Sequence, residues 1–541
     1  ARAMAIARFG LRGVHHAPAT AWLAGLLTSD DPARREAAAY AFGRWSSTEP
    51  WVGHAAAVRG ALDAAYPFQH GIPGVTAPDG PAAPIHLLAA LGRLADPADT
   101  ERIVRWLEDA VDWRARVAAA RALAGRTAEE PARTVLVAAL GDLSTHVGVA
   151  AAATLSAADS LPPETVHQLA LLATQAGNWR VVGEALPAIA RDGAEAMVIM
   201  FLMALDTRDR GNAFARAKAL RALGHGDTRG GFLVLEDEAG WESPLVATAA
   251  VEGLAARWGR GSVSAPATPE RYYAAFRAAL ERGDPGTVSA AAEVLADSAF
   301  VAMGSVAALL ETWRALTAPE DLEPMAAVLS ALGAAGDPAA RPALEAALDH
   351  PDATLRRAAA GALEALMGEP VEVPAAPDPP DRTVDWSALA ALGPRPWLVI
   401  ETEHGRIAVE LDAEQAPLTV QTIAGFARDG SYAGVPFHRV VPNFVIQGGD
   451  FSRGDGWGGP GFEIRSEFTR LDYERGTLGM ASAGKDTEGS QWFVTHSMQP
   501  HLDGRYTAFG RVVEGMDVVD RVLEGDRALS ATVLPSPRPE P

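Results

Sequence analysis

The chain of 541 residues contains no cysteine. That excludes disulfides, thiolate metal sites, iron–sulfur clusters and a cysteine nucleophile together. Lysine is nearly missing as well: Lys218 and Lys485 are the only two, so Arg supplies almost all the positive charge. Cations are also outnumbered, 47 Lys and Arg against 68 Asp and Glu, for a net charge of −21. A nucleic-acid binder needs clustered surplus cations to neutralise phosphates, so that class is excluded. No apolar run reaches the roughly 18 residues that a membrane-spanning helix requires. The longest, Ala196 to Leu205, predicts a buried helix. A hydrophobic content of 48% with 21% charged residues excludes wholesale disorder and permits sizeable cores.

What is present divides the chain in two. Residues 1–368 are dominated by Ala, Leu and Arg in helical periodicity, and one phrase keeps returning. It reads DDPARREAAAYAFGRW from Asp30, DWRARVAAARALAGR from Asp112 and STHVGVAAAATLSA from Ser144. Further copies begin at Asn178, Asn212, Glu242, Asp284 and Pro351. Each opens on a small polar N-cap or a Pro suited to the first helical turn. An Ala-rich helix with Leu or Val at i, i+3, i+4 and i+7 follows. Most copies recur at the period of a two-helix repeat, and one such hairpin cannot bury its apolar stripe alone, so the copies must stack. The phrase resembles the HEAT repeat, which implies an all-α solenoid of eight to ten repeats. Gln69 to Pro84 breaks the period and predicts an inserted loop. ARAMAIARFG, from Ala1, reads as the second helix of a repeat, so a capping repeat is expected upstream. Met197, Met200 and Met203 form a helical stripe expected in the repeat core.

Five prolines between Gly368 and Asp381 mark a stiff, extended linker, assigned to residues 369–394. Beyond it the hydrophobic period changes from 3.6 to 2. WLVIETEHGRIAVEL, from Trp397, predicts a hairpin turning at Glu403-His404-Gly405, and Leu418 to Asp429 predicts a helix. Residues 395–535 form a second, β-rich domain, followed by a tail at 536–541.

Three segments of that domain carry chemistry: FHRVVPNFVIQGGDF from Phe437, MASAGKDTEGSQWF from Met480 and LDGRYTAFG from Leu502. Together they resemble the cyclophilins, peptidyl-prolyl cis-trans isomerases, over essentially all of Trp397 to Val533. The resemblance implies a mainly-β closed barrel with two helices, placed after the HEAT-like array. It implies Arg439 as the catalytic donor, with Gln447 bracing it and Phe444, Val445, Phe493 and Leu502 around the proline ring. It further implies that Gln491 and the backbone at Ser482 and Ala483 hold the extended peptide, with His501 and Tyr506 at the rim. The departures are Val445 where Met is usual, His501 where eukaryotic members have Trp, Tyr506 for the rim His and Ser482 for Asn. His501 resembles bacterial members and implies weak cyclosporin binding.

The chemistry agrees with that set. Rotation about an X–Pro bond meets a barrier of about 18–20 kcal/mol because the amide is resonance-stabilised. Lowering it takes no cofactor, metal or nucleophile. It takes a slot for the pyrrolidine ring and a donor aimed at the imide nitrogen as its lone pair localises, a task suited to the permanently charged, planar guanidinium of Arg. In a strand, Val445 and Gln447 share one face, while Phe444 projects from the other unless the backbone re-aims it. Gly454 to Gly459 matches G-x-G-x-x-G, but no helix follows to receive a phosphate, so it is no nucleotide site. Asp486 and Glu488 are expected to be solvated.

The leading function is therefore isomerisation of proline-containing polypeptides, with the array as a client or partner platform. The alternative is a scaffold whose barrel only binds proline segments. A third makes the array the main actor and the barrel its regulator. An array fused to an isomerase suits folding traffic at the bacterial envelope or in the periplasm.

Overall fold

The structure is a computed structural model. It describes residues 6–8, 16–45, 47–49, 51–66, 83–174, 178–208, 212–263, 266–374 and 382–536. Most of the Gln69–Pro84 insertion, most of the ARAMAIARFG segment and residues 537–541 of the tail lie outside the described residues.

Helices fill the first part of the chain. Ten of them form one continuous inner layer: α1 (Pro32–Arg44), α2 (Ala83–Leu94), α3 (Trp113–Ala122), α4 (Thr145–Ser156) and α5 (Trp179–Ile189). The layer continues with α6 (Ala213–Leu223), α7 (Pro244–Gly259), α8 (Pro285–Leu295), α9 (Leu322–Ala334) and α10 (Ala353–Met367). Each packs on the next, and each is paired with an outer helix that precedes it in the chain. Asp31, Asp112, Asn178, Asn212, Asp284 and Asp352 cap their helices by accepting hydrogen bonds from first-turn N–H groups. Small residues let the inner helices touch backbone to backbone. A Cβ added at Gly43 would meet the His86 carbonyl at 2.6 Å, and one at Gly333 would meet Ala362 Cα at 2.5 Å. The Met stripe is divided: Met197 is partly buried against the core, but Met200 and Met203 are exposed, and Val198 and Leu202, one helical turn apart, supply the buried stripe. No described helix is long and apolar enough to cross a membrane.

The second part is a curled antiparallel sheet of nine strands. They are β1 (Trp397–Thr402), β2 (Gly405–Leu411), β3 (Val435–Pro436), β4 (Arg439–Val441), β5 (Val445–Gly448), β6 (Thr477–Ser482), β7 (Glu488–Thr495), β8 (Ala508–Glu514) and β9 (Arg527–Leu534). Their order is β3-β9-β1-β2-β8-β6-β7-β5-β4. The two edges, β3 and β4, are separated in sequence only by Phe437 and His438, so the sheet curls back on itself. Helix α11 (Pro417–Arg428) packs on β9. Leu398, Ile400, Val409, Ile446, Trp492 and Phe509 fill the interior. Of the proline-rich linker, the helix Trp386–Leu392 packs on the barrel: Leu389 joins its core, and the Leu392 carbonyl accepts from Ser536 N at 2.7 Å.

The barrel sits against the inner layer of the array along its whole length. Arg8 pairs with Asp503 at 2.7 Å, Arg180 with Asp526 at 2.7 Å, Lys218 with Glu524 at 3.0 Å, and Arg453 with Asp284 at 2.7 Å. Trp113 and His146 close around His496. At the far end, Arg357 of α10 reaches Gly484. Ten helices spaced about 8–10 Å apart would span roughly 70–90 Å if straight. A domain of about 140 residues has a radius of gyration of only about 14 Å. Touching both ends of the layer therefore requires the array to curve around the barrel, whose body fills that concave face.

Candidate active site

The β4–β5 hairpin and β7 place the central residues in one cross-strand row. Arg439 lies opposite Gln447, and Gln447 opposite Phe493. Neighbours in such a row stand about 5 Å apart, close enough for side chains to interact. Alternation divides the two faces: Ile446, Trp492 and Val494 turn into the barrel, while Val445 and Phe493 turn outward into a separate cluster with Tyr473, Leu502 and Ala508. Phe444 escapes the alternation because it precedes β5. It lies in the turn after Pro442, where Asn443 takes a left-handed φ of 61°, and its side chain packs on the outer cluster beside Tyr506. Val445 is 1% exposed, and Phe493 and Leu502 are each 6% exposed, so they form a floor rather than a surface patch.

Polar groups rise from the rim. Arg439 is exposed and donates from Nη1 to Gln447 Oε1 at 3.2 Å, while its guanidinium lies 5.5 Å from the Phe444 ring centre. Gln447 in turn donates to Gln491 Oε1 at 3.1 Å. Gln491 donates to the carbonyls of Gly456 and Gly458, both at 2.8 Å. One relay thus runs from the guanidinium to the glycine-rich loop. That loop folds around a carboxylate of its own: Asp450 accepts from the N–H groups of Arg453, Asp455, Gly456 and Gly458 at 2.8–3.1 Å. Burial alone would raise its pKa, yet the loop N–H groups hold it below the usual carboxylate range. The G-x-G-x-x-G spelling therefore serves an internal anion.

Two clefts flank this row, and both are shared with the array. One, of about 480 Å³, runs from Gln447, Gln491, Ser482 and Ala483 to the Pro319–Pro324 segment leading into α9. It is acidic: Glu320, Asp321 and Glu323 face Glu463, whose pKa is raised to about 8 by burial and then by the neighbouring carboxylates of Asp352, Glu323 and Asp486. The other lies behind Phe444 and His501. His501 stacks on Phe444 at 5.7 Å, and its Nδ1 lies 3.0 Å from Arg44 Nη2 and 3.4 Å from the Tyr40 hydroxyl, both on α1. Burial, then the charges of Arg44 and Arg505, hold its pKa down to about 4.

The structure thus gathers Arg439, Phe444, Val445, Gln447, Phe493, Leu502 and Tyr506 in one place. Ser482, Ala483 and Gln491 lie along one flank and His501 on the other. Three features of the surroundings had no sequence signal. Tyr473, fully buried, stacks under Phe493 at 5.6 Å. Glu488 is fully buried rather than solvated, because β7 begins with it and turns its side chain inward to accept from Thr507 Oγ1 at 2.7 Å. Tyr40 and Arg44 meet His501 across some 460 residues.

Comparison with known proteins places the barrel. Residues 397–536 match the family described as cyclophilin type peptidyl-prolyl cis-trans isomerase/CLD. A peptidyl-prolyl cis-trans isomerase of Synechococcus elongatus is 44% identical over 138 residues, 25% of this chain and 94% of its own. Peptidyl-prolyl cis-trans isomerase B of Bacillus subtilis is 46% identical over 126 residues, 23% of this chain and 87% of its own. A solved cyclophilin-type isomerase of Cryptosporidium parvum, in the presence of the dipeptide Ala-Pro, covers 25% of this chain and 98% of its own at 30% identity, with a TM-score of 0.24. With a curled antiparallel sheet, this sequence match and a relative nearly all of whose length it spans, the chain belongs to the cyclophilin-type peptidyl-prolyl cis-trans isomerases.

Proposed function

We propose that the barrel isomerises X–Pro bonds in polypeptide clients through Arg439, and that the array shapes the groove in which they lie. The proline ring seats on the Val445–Phe493–Leu502 floor, against Phe444 and Tyr506. Arg439, steadied by Gln447, donates to the imide nitrogen as resonance is lost in the twisted state, which lowers the rotational barrier. Gln491 and the backbone at Ser482 and Ala483 hold the flanking chain extended. The carrying observation is the cross-strand row that sets a braced guanidinium beside an apolar floor. A scaffold that only binds proline has no use for that brace.

The helical pairs support a HEAT-type reading of residues 1–368, with residues 395–535 as the isomerase unit. Because the barrel occupies the array's concave face, a client platform consists of the two shared clefts rather than of a free solenoid surface. A tetrapeptide isomerisation assay tests the catalytic reading. Arg439→Ala is expected to lower kcat/KM by about 10²–10³-fold, the scale of losing one preorganised donor, with the fold unchanged by circular dichroism. Unchanged turnover, or a wild type no faster than background, would leave the binding scaffold.

A further inference from the structure

The cleft behind Phe444 and His501 encloses about 660 Å³ between α1, α2, α3 and the Pro442–Phe444 turn. Among the described residues its lining includes Arg44, Arg93 and Arg121 and no Asp or Glu, in a chain whose net charge is −21. Many arginines elsewhere on the array are paired with carboxylates, Arg59 with Asp99, Arg102 with Asp63 and Arg116 with Asp142, while Arg126, Arg133 and Arg356 donate to backbone carbonyls. Arg44, Arg93 and Arg121 form no ion pair among the described residues. Arg44 donates to the Tyr40 hydroxyl and approaches His501, and Arg121 donates to the Pro442 carbonyl at 2.9 Å. Desolvation, followed by the charge of Arg44, disfavours the Arg93 cation, and desolvation disfavours that of Arg121, with no carboxylate offsetting either. His86, 8% exposed, also lines the cleft, and its Nε2 has no partner among the described residues. Its ring is neutral, its pKa held down to about 3 by burial and by Arg44, so it carries one N–H to donate.

Like charges held together without a counter-charge raise the energy of the empty site, and a bound anion relieves it. Guanidinium forks match the geometry of carboxylate and phosphate oxygens. The volume suits an organic group rather than a bare ion. We propose that this cleft binds an oxyanion, a carboxylate or a phosphate, carried by the polypeptide whose proline lies against Phe444. This inference rests on the isomerase reading for its polypeptide source, and the same oxyanion chemistry would serve a free phosphate.

The test uses the full chain. Proline peptides that differ only in Glu or Gln, placed at each position within three residues of the proline, are compared in the isomerisation assay. Inorganic phosphate is titrated calorimetrically alongside. Wild type is expected to turn over at least one Glu peptide about five-fold faster than its Gln twin, the worth of one solvent-accessible ion pair. Arg93→Glu is expected to abolish that advantage while leaving the Gln peptides unchanged. Saturable phosphate binding lost in Arg93→Glu, with no peptide preference, would support the oxyanion site and assign it to a free anion. No preference together with no phosphate binding overturns the proposal, as does either effect surviving Arg93→Glu undiminished. Wild type inactive on every peptide would overturn the isomerase reading and leave the phosphate titration to decide the cleft.

Discussion

At His501 the two halves of the chain act on a single imidazole. The ring is neutral in the folded state, and burial with the nearby Arg44 and Arg505 keeps it so until about pH 4. Since the unfolded ring takes up its proton near pH 6.5, the stability contributed by this site is complete above that value and is lost as the pH falls from there to about 4. Replacing Arg44 by Met removes one cation and is expected to raise the His501 pKa, seen as a midpoint moved to higher pH when its ring resonances are followed in an NMR titration. Glu488 runs the other way. Burial lifts its pKa to about 7, so the unfolded side chain releases its proton well before the folded one does. Stability then declines as the pH rises from about 4.5 to 7 and levels off above. Glu488→Gln keeps the acceptor for Thr507 and is expected to flatten this decline, worth about 3 kcal/mol at pH 8 by denaturant titration. None of this is visible in sequence, where Glu488 lies among Asp, Thr and Gly and reads as a turn.

At the scale of elements, an Ala-rich phrase behind a polar cap locates eight of the ten inner helices, and the structure explains why those letters recur. The caps answer orphan N–H groups, and Ala and Gly let successive helices meet without a side chain between them. Helices α2 and α9 carry no copy of the phrase, although Pro84 and Pro324 stand in their first turns as Pro32, Pro244 and Pro285 do in α1, α7 and α8. In the barrel the period of two marks the strands, but Phe444 defeats it, since a left-handed Asn443 ahead of the strand is not legible from alternation. The backbone contact between α9 and α10 gives a direct test. Gly333→Val drives two methyl groups into Ala362 and is expected to lower stability by about 1–3 kcal/mol through overpacking, read as an earlier midpoint in urea. Gly361→Ala, on the same pair of helices but facing open space, is expected to be neutral or slightly stabilising.

For the whole molecule, the sequence separates two halves by composition but contains nothing that seats one in the other. The residues that do so are ordinary surface letters on each side, and only the curvature of the stacked repeats brings Arg180 to Asp526 or Lys218 to Glu524. The barrel fills its interior with a hydrophobic core separate from that of the array, so docking restrains it rather than creating it. Lys218 is the informative contact, because it bridges Glu184 of α5 at 2.7 Å and Glu524 of the barrel at 3.0 Å. Reversing both Arg180 and Lys218 to Glu puts five carboxylates at that junction, with Glu184, Glu524 and Asp526 already there, and repulsion at short range in a partly desolvated interface outweighs the remaining contacts locally. The radius of gyration from small-angle scattering is expected to rise and to rise further at low salt, as the Debye length grows. Adding Glu524→Lys and Asp526→Arg restores both pairs with their signs exchanged, and is expected to return the compact value. Tetrapeptide turnover should persist in the opened variant, since Arg439, Gln447 and Phe493 all belong to the barrel. An unchanged radius in the reversed variant would mean that the aromatic contacts around His496 hold the barrel in place without help from these charges.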